Sequence, residues 1–271
     1  MTYNYHTHTF RCGHASGTER EYIERAIENG ITVMGFSDHS PYRFPDGREA
    51  NYRVKTDTAE DYFVVLRQLR EEYKDRIDIK IGFEMEYYDL YFEDMLSYVC
   101  GLGTEYLILG QHLTNNDTPG IRHFCSRPTD SEEQLEAYTD AVVEGMATGA
   151  FSYVAHPDVF NFTGSEEKYE KEMRRLCKQA AKLDLPLEIN FLGIRGGRHY
   201  PTDLFWRIAG EEGCTAIYGF DAHDVPASFD GDSIPAAEAL RAKYNIPLIS
   251  PDEFRLLDPT SVLEKLRKEN K

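Results

Sequence analysis

Histidine and carboxylate residues are concentrated directly after short apolar runs in this sequence. They occur as His6, His8 and His14 in YHTHTFRCGH, Asp38 and His39 in GFSDHS, Glu84 in GFEMEY, His112 in LGQHL, His156 in VAHPD, and Asp221 and His223 in GFDAHD. Imidazole and carboxylate groups are ligands through which proteins bind zinc and related divalent ions. Residues i and i+2 of an extended segment point to the same side, so both members of a His-x-His or Asp-x-His pair can reach one ion. The pattern therefore indicates a metal site assembled from dispersed parts of the chain.

These side chains can meet only if the apolar runs are parallel strands that end at one rim. Strands are predicted at residues 3–5, 32–36, 78–83, 106–109, 152–154, 187–190 and 216–220, with a weaker candidate at 246–249. Amphipathic segments of helical period lie between them, at 18–29, 58–73, 131–148, 165–183, 203–212, 236–244 and 260–269. This alternation, with no linker rich in glycine and serine, predicts one α/β barrel domain over residues 1–271 whose catalytic face is the carboxyl-terminal rim of the strands.

The candidate ligands outnumber those that one tetrahedral site requires. They are His6, His8, His14, His39, Glu84, His112, His156, Asp221 and His223. Nine ligands suit three ions, particularly if Glu84 bridges two of them. A single histidine is more often a hydrogen-bonded structural residue than a ligand, but independent structural histidines have no reason to share one rim.

Several neighbouring residues compete with these ligands or support them. Glu86 lies two residues from Glu84 and so on the same side of the strand, and Glu84 is preferred for its position relative to the strand end. Asp38 and Asp158 are interpreted either as groups that orient ligand imidazoles or as loop caps. The Cys12 thiol is interpreted as a packing group rather than a ligand.

Basic residues flank the same predicted rim. Arg43 lies in a long loop over residues 41–57, Arg122 lies in a second long loop over 113–130, and Arg195 and Arg198 follow the sixth predicted strand. Guanidinium groups bind phosphate oxygens in a bidentate manner, so arginines around a metal site suggest a phosphate ester substrate. The candidate substrate-binding residues are Arg43, Arg122, His123, Arg195 and Arg198, with Arg195 as the first choice. His199, like His123, falls in a loop and has no strand-end position.

Composition disfavours several classes of protein. The chain carries 47 Asp and Glu against 30 Lys and Arg, a net charge of −17, which disfavours nucleic acid and anionic membrane surfaces as partners. The five cysteines form no Cys-x-x-Cys pair, which argues against a disulfide framework or a zinc ribbon and favours the reducing cytoplasm. No apolar run reaches the roughly 20 residues that span a bilayer. We therefore expect a cytoplasmic protein that acts on a small molecule.

The order of the motifs carries a family resemblance. The motif order resembles that of the polymerase-and-histidinol-phosphatase (PHP) family, with HTH followed in turn by CGH, SDH, GFE, QH, AHPD and DAH. Residues 6–30 resemble the histidinol-phosphatase branch of this family. The resemblance covers residues 3–224. It implies a distorted, TIM-like (β/α)7 barrel with three divalent ions, Zn, Mn or Fe, at the carboxyl-terminal rim.

The resemblance also implies how the ligands divide among the ions. The first ion would take His6, His8, Glu84 and Asp221, the second Glu84, His112 and His156, and the third His14, His39 and His223. Glu84, Asp221 and His223 are the expected catalytic residues. One departure is that HPDVFNFTG lacks the basic residue that histidinol phosphatases often carry after this motif.

The expected function is metal-dependent hydrolysis of a small phosphate monoester. The specific expectation is histidinol-phosphatase activity, in which L-histidinol phosphate and water give L-histidinol and phosphate in histidine biosynthesis. Two alternatives remain at this point. One is a PHP phosphoesterase that acts on another small phosphate ester, a phosphodiester or a nucleotide; the other is a protein that stores or senses metal.

Overall fold

The computed structural model describes residues 1–269 as alternating strands and helices. The strands are β1 (Tyr3–Asn4), β2 (Val33–His39), β3 (Asp78–Met85), β4 (Tyr106–Leu109), β5 (Leu187–Asn190) and β6 (Ala216–Gly219). The helices are α1 (Glu19–Glu28), α2 (Ala59–Tyr73), α3 (Phe92–Leu102), α4 (Glu132–Ala147), α5 (Glu166–Lys182), α6 (Phe191–Arg195), α7 (Asp203–Glu211), α8 (Ile234–Lys243) and α9 (Pro259–Glu269). Short 3-10 turns occupy Phe10–Cys12, Asn115–Asp117 and Pro226–Ser228.

The strands form a parallel sheet that curls on itself. β1, β2, β3 and β4 are hydrogen-bonded in that order, and β5 pairs with β6. Val154 bridges Leu109 of β4 and Leu187 of β5, which joins the two parts, and Thr7 bridges Ala222 beyond the ends of β1 and β6. The fold is a mixed α/β architecture with a curled parallel sheet, consistent with a distorted TIM-like barrel.

The strands differ from the sequence prediction mainly at residues 152–154. Only Val154 forms bridges there, so the described residues contain six strands rather than the predicted seven. The chain adopts a left-handed conformation at His156, with φ of 30°, which ends extended pairing soon after Val154. The weaker candidate at 246–249 contributes a single bridge between Leu248 and Ala216.

Several helices begin at capping residues that the sequence shows. α1 begins with a capping box, in which the Thr18 hydroxyl accepts from the Glu21 N–H and the Glu21 carboxylate accepts from the Thr18 N–H at 2.8 Å. The sequence does not predict α3, which is preceded by Tyr91 and has no side-chain cap, or α6, which has five residues. Within residues 1–269, none of the helices has the length and apolar character to cross a membrane.

Two apolar clusters fill the fold. The larger one joins the helices to the sheet. The smaller one lies within the curl and consists of Tyr3, Tyr5, Tyr106, Ile108, Tyr153, Ala155, Ile217 and Phe254. Phe254, from the segment after α8, lies 5.0 Å from the Tyr5 ring and 6.1 Å from the Tyr153 ring. Aromatic side chains therefore close the end of the curl where the strands begin, and the polar residues lie at the other end.

Candidate metal centre

All nine candidate ligands lie at or just beyond the carboxyl ends of the parallel strands. His6 and His8 follow β1, His39 ends β2, and the pairing of β2 with β3 places His39 directly beside Glu84. His112 follows β4, His156 follows Val154, and Asp221 and His223 follow β6. His14 follows the turn at Phe10–Cys12. Six of the nine are buried, namely His6, His8, His39, Glu84, His156 and Asp221. The parallel register therefore assembles the cluster from positions that are more than 200 residues apart.

Four of these side chains converge on one point. His6 Nε2 lies 3.1 Å from His8 Nε2, and His8 Nε2 lies 3.1 Å from Asp221 Oδ1. Glu84 Oε2 is 3.6 Å from the Nε2 atoms of both histidines. Ligands about 2.1 Å from a tetrahedrally bound zinc are separated by about 3.4 Å, so these distances match the edges of a coordination shell. Glu84 Oε2 and Asp221 Oδ1 are buried without hydrogen-bond partners, as expected for oxygens that bind a cation.

A second group shares the Glu84 carboxylate. Glu84 Oε1 lies 2.7 Å from His156 Nε2 and 3.4 Å from His112 Nε2. Glu86 is directed elsewhere, because its Oε1 atom accepts from the buried Arg53 guanidinium at 2.8 Å and lies 3.6 Å from His112 Nδ1. The geometry thus places Glu84 between two groups of histidines and Glu86 behind one of them.

The third group is more open to solvent. His14 Nε2 lies 3.0 Å from His223 Nε2, and His14 is exposed. His39 directs its Nδ1 atom to Glu84 Oε2 at 2.9 Å, while its ring centroid is 5.2 Å from that of His14. The Cys12 thiol donates to the Thr9 carbonyl and lies 4.0 Å from His14 Nε2.

Carboxylates behind the cluster orient its imidazoles. Asp38 lies 3.4 Å from His8 Nδ1 and accepts from the Thr9 N–H. Asp158 does not face an imidazole, because its Oδ2 atom accepts from the Thr202 N–H at the start of α7, at 2.6 Å. Sequence reasoning missed Glu188, whose Oε1 atom is 2.7 Å from His6 Nδ1. The available signal was a glutamate within the otherwise apolar run of β5.

The electrostatic balance favours positive charge at the centre. Burial opposes ionisation of Glu84, but the nearby imidazoles of His112, His39 and His6 hold the pKa of this carboxyl well below its ordinary value. Burial acts to lower the pKa of His8, but the neighbouring Asp221 and Asp38 carboxylates raise it to about 9. In the absence of an ion, a proton on His8 therefore compensates part of the buried negative charge.

Two of the candidate ligands have a left-handed backbone. φ is 30° at His156 and 48° at Asp221, a conformation that costs a residue other than glycine about 1–3 kcal/mol and is frequent at functional sites. The His156 N–H donates to Glu188 Oε2 at 3.0 Å. The Arg195 guanidinium donates to the carbonyls of Phe220 and Asp221. Both turns are thus held by charged side chains that are not candidate ligands themselves.

A cavity of about 440 Å³ opens onto this cluster, a size typical of small-molecule sites. Four candidate ligands line it, namely His14, His39, His112 and His223. The rest of the wall consists of Tyr52, Phe124, Ser126, Val159, Leu192, Arg198 and Tyr200. The wall away from the histidines is therefore largely aromatic and apolar, with a single guanidinium.

The five candidate substrate-binding residues occupy different places. Arg198 lines the cavity and donates to the Tyr200 hydroxyl at 3.0 Å. Arg122 pairs with Asp117 and lines an adjacent cavity, whereas Arg195 is directed to the β6 exit, as described above. The Arg43 guanidinium lies 3.5 Å from the centroid of the Tyr98 ring, and His123 Nε2 is 2.9 Å from the Arg127 carbonyl. Among these five, Arg198 alone lines the cavity beside the histidines.

The chain is similar in sequence to curated proteins from several organisms. It is 26% identical over 235 residues to a probable histidinol-phosphatase of Deinococcus radiodurans, a match that covers 80% of this chain and 85% of that protein. It is 24% identical over 249 residues to a histidinol-phosphatase of Bacillus subtilis, with 81% and 92% covered.

Solved structures and a family model complete the comparison. The fold is similar to that of a Lactococcus lactis histidinol phosphate phosphatase complexed with zinc, L-histidinol and phosphate, with a TM-score of 0.69, 20% identity, and 95% of this chain and 97% of that chain covered. A Listeria monocytogenes structure described as a histidinol phosphatase gives a TM-score of 0.68 at 20% identity, with 86% and 99% covered. The PHP domain model matches residues 4–191, more than half of the sequence. The chain therefore belongs to the PHP domain family.

Proposed function

We propose that the protein is a metal-dependent phosphomonoesterase that hydrolyses L-histidinol phosphate to L-histidinol and phosphate. The observation that carries this proposal is the pair of buried carboxylate oxygens, Glu84 Oε2 and Asp221 Oδ1, which lack hydrogen-bond partners and face His6 and His8 beside an open cavity. In proteins, buried charges of this kind are paired with an opposite charge or coordinate a metal ion. The names of the curated relatives support the choice of substrate.

The donor set suits three divalent ions, Zn, Mn or Fe. His6, His8, Glu84 and Asp221 would hold the first, Glu84, His112 and His156 the second, and His14, His39 and His223 the third. Imidazole and carboxylate donors fit these metals, and the distances within the first two groups support the assignment. When bound, such ions neutralise phosphoryl charge and lower the pKa of water.

The proposed catalytic and phosphate-binding residues lie in two places, beneath the cavity and on its wall. Glu84 and Asp221 are buried and fix the positions of their neighbouring histidines. His223 lines the cavity, where it can face the phosphoryl group, and Arg198 supplies a guanidinium for the phosphate oxygens. Glu84, Asp221 and His223 are therefore the proposed catalytic residues, and Arg198 is the proposed phosphate-binding residue.

The opposite wall supports a planar leaving group. Tyr52, Phe124 and Tyr200 are aromatic, and Val159 and Leu192 are aliphatic. An imidazole ring can pack against aromatic faces of this kind. This composition fits histidinol phosphate better than a polyhydroxylated sugar phosphate, which requires many hydrogen-bond partners.

Further parts of the proposal concern the whole chain. Val154, which bridges Leu109 and Leu187, would mark the place of the seventh strand in a distorted (β/α)7 barrel, and residues 1–271 would form one domain. The cysteines of the described chain are unpaired, which fits a cytoplasmic location. The net charge of −17 disfavours nucleic acid as a substrate.

Phosphate release from a substrate panel tests the function. L-histidinol phosphate should be hydrolysed with a higher kcat/KM than sugar phosphates and mononucleotides, by the zinc- or manganese-loaded protein. Equal kcat/KM values for all esters would contradict the assignment of L-histidinol phosphate as the substrate. Faster cleavage of bis-p-nitrophenyl phosphate than of p-nitrophenyl phosphate would instead support a diesterase, and no turnover at full metal content would support metal storage or sensing.

A further inference from the structure

Glu188 is a carboxylate in the interior of the curled sheet, in the middle of β5, with no exposed surface. Each of its two oxygens bonds a different part of the candidate metal centre. Oε1 is 2.7 Å from His6 Nδ1, and Oε2 accepts from the His156 N–H at 3.0 Å. A buried carboxylate persists only where its partners compensate for lost hydration, and here those partners are two candidate ligands.

Asn190 extends the same arrangement to a third candidate ligand. Its Nδ2 atom donates to Glu188 Oε2 at 2.8 Å and to Asp221 Oδ2 at 3.1 Å. Its Oδ1 atom accepts from the Gly193 N–H, which caps α6 and fixes the amide orientation. Two side chains at i and i+2 of one strand therefore reach ligands that follow β1, Val154 and β6.

The neighbouring strand leaves space for this carboxylate. A Cβ atom at Gly219 of β6 would overlap Glu188 Oε1. Asn190 and Gly219 are paired in the register of β5 and β6. The absence of a side chain at Gly219 is an observation independent of the hydrogen bonds. It provides the space in the sheet that the Glu188 carboxylate occupies.

The bond to Glu188 also determines the protonation of His6. A carboxylate accepts, so His6 donates from Nδ1, and its Nε2 atom faces His8, Glu84 and Asp221. This is the tautomer that presents a nitrogen lone pair to an ion, and outer partners of this kind hold ligand imidazoles in place.

We propose that Glu188, supported by Asn190, is a positioning residue that couples the first and second ion sites, so that both ions are bound and lost together. This rests on the metal centre of the proposed function. Glu188 orients His6 of the first site and the backbone of His156 of the second, and Asn190 extends the coupling to Asp221. Neither residue lines the cavity, so neither contacts substrate.

Zinc binding by Glu188→Gln tests the coupling without substrate. Gln retains one acceptor oxygen but presents an amide group to one of the two donors, His6 Nδ1–H or the His156 N–H. Titration with a zinc chelator, with bound zinc measured by mass spectrometry, should show wild type losing two ions in one step, and Glu188→Gln binding zinc about 10- to 100-fold more weakly and losing the two ions in separate steps. Affinity of Glu188→Gln within twofold of the control, or loss of its two ions in one step as in wild type, would overturn the proposal.

Glu172→Gln is the matched control. Glu172 is also buried, but it lies on α5 and pairs with Lys171 and Arg175 rather than with a candidate ligand. The two variants should have similar Tm values in EDTA, and only Glu188→Gln should lose the rise in Tm that zinc produces. An equal loss of Tm with and without zinc would show a purely structural role and overturn the proposal.

Two further measurements separate the possible outcomes. If Glu188→Gln does not fold, Asn190→Ala removes the bond to Asp221 while Glu188 remains; weaker zinc binding supports the coupling, and zinc binding equal to wild type overturns it. Nitrogen NMR of labelled histidine should show the His6 imidazole protonated at Nδ1 in wild type and altered in Glu188→Gln. A wild-type protein whose zinc affinity depends on Glu188 as predicted, but which hydrolyses no phosphate ester, would refute the proposed function alone.

Discussion

The Nε2 atoms of His6 and His8 face each other across 3.1 Å in the buried interior of the sheet. His6 directs its Nδ1 atom to Glu188 and His8 directs its Nδ1 atom to Asp38, so in their neutral forms both histidines present lone pairs to the same point. Two lone pairs at this distance repel unless a proton or a cation lies between them. The pair is therefore stable only when positive charge is bound there.

Replacement of His8 tests this requirement. His8→Ala should lose bound metal and phosphatase activity together, by more than the roughly 10- to 100-fold that loss of an outer partner costs. Metal content and phosphate release measure the effect, and circular dichroism checks the fold. His123→Ala is the control, because His123 contacts a loop carbonyl outside the cavity. Full metal content with normal turnover in His8→Ala would contradict the assignment.

The stability of the metal-free protein should depend on His8 ionisation. The pKa of His8 is raised from 6.5 to about 9 against the lowering effect of burial, because the Asp221 and Asp38 carboxylates lie beside its ring. A raised pKa contributes stability that is fully present below pH 6.5 and is lost as the pH rises through about 9, at about 1.4 kcal/mol per unit.

Urea unfolding in EDTA should therefore give a lower free energy of unfolding at pH 9.5 than at pH 6.5. His8→Gln should reduce this difference, and an unchanged difference would count against the assignment. Zinc-loaded protein should show the opposite trend in metal affinity, which rises with pH because the ion competes with the proton.

Asp158 should give the free energy of unfolding a second, separate dependence on pH. Burial raises the pKa of this carboxyl from 3.8 to about 7. The residue is then neutral in the folded protein while it ionises in the unfolded chain, so stability falls as the pH rises from 3.8 to about 7. Asp158→Asn keeps an oxygen for the Thr202 N–H and stays neutral. We expect this variant to exceed wild type in stability at pH 8 by more than at pH 5 in urea unfolding with EDTA; parallel curves would argue against the raised pKa.

Arg198 should affect substrate binding more than metal binding. Its guanidinium lines the cavity, and hydrogen bonds to charged groups are worth about 1.5–3 kcal/mol. Arg198→Met should therefore weaken kcat/KM for a phosphate monoester roughly 10- to 100-fold, with unchanged zinc content. Arg43→Met is the control, because Arg43 stacks on Tyr98 outside the cavity. Equal kinetics for the two variants would exclude Arg198 from phosphate binding.

Arg195 should behave differently from Arg198. It donates to the carbonyls of Phe220 and Asp221 and so supports the left-handed turn at Asp221. Arg195→Met should lower Tm, zinc affinity and kcat, with little change in KM. A rise in KM as large as that of Arg198→Met, with normal zinc binding, would show that Arg195 binds substrate.

Much of the candidate centre follows from the sequence because parallel strands end at one rim. His39 and Glu84 are 45 positions apart, yet the register of β2 and β3 makes them neighbours. The choice between Glu84 and Glu86 is different, because alternation places both on one side of the strand. It depends on Arg53, which enters from a long loop and pairs with Glu86, and no local pattern predicts that contact.

The arginines mark the limit of prediction from sequence. Arg195 follows a strand and is flanked by glycines, features that suit a substrate contact. However, α6 begins directly after β5 and turns this side chain towards the exit of β6. A helix of five residues is too short to show a period in the sequence, so the direction of Arg195 is a property of the folded chain.

The aromatic layer formed by Tyr5, Tyr153 and Phe254 gives the curled sheet a closed floor. Under the proposed function, ions and substrate would share the opening on the side of His14 and His223. Metal exchange and substrate exchange would then compete for one passage. A phosphate held in the cavity would delay the departure of the ions beneath it, so the lifetime of the metal-loaded protein would depend on the concentrations of its own substrate and product.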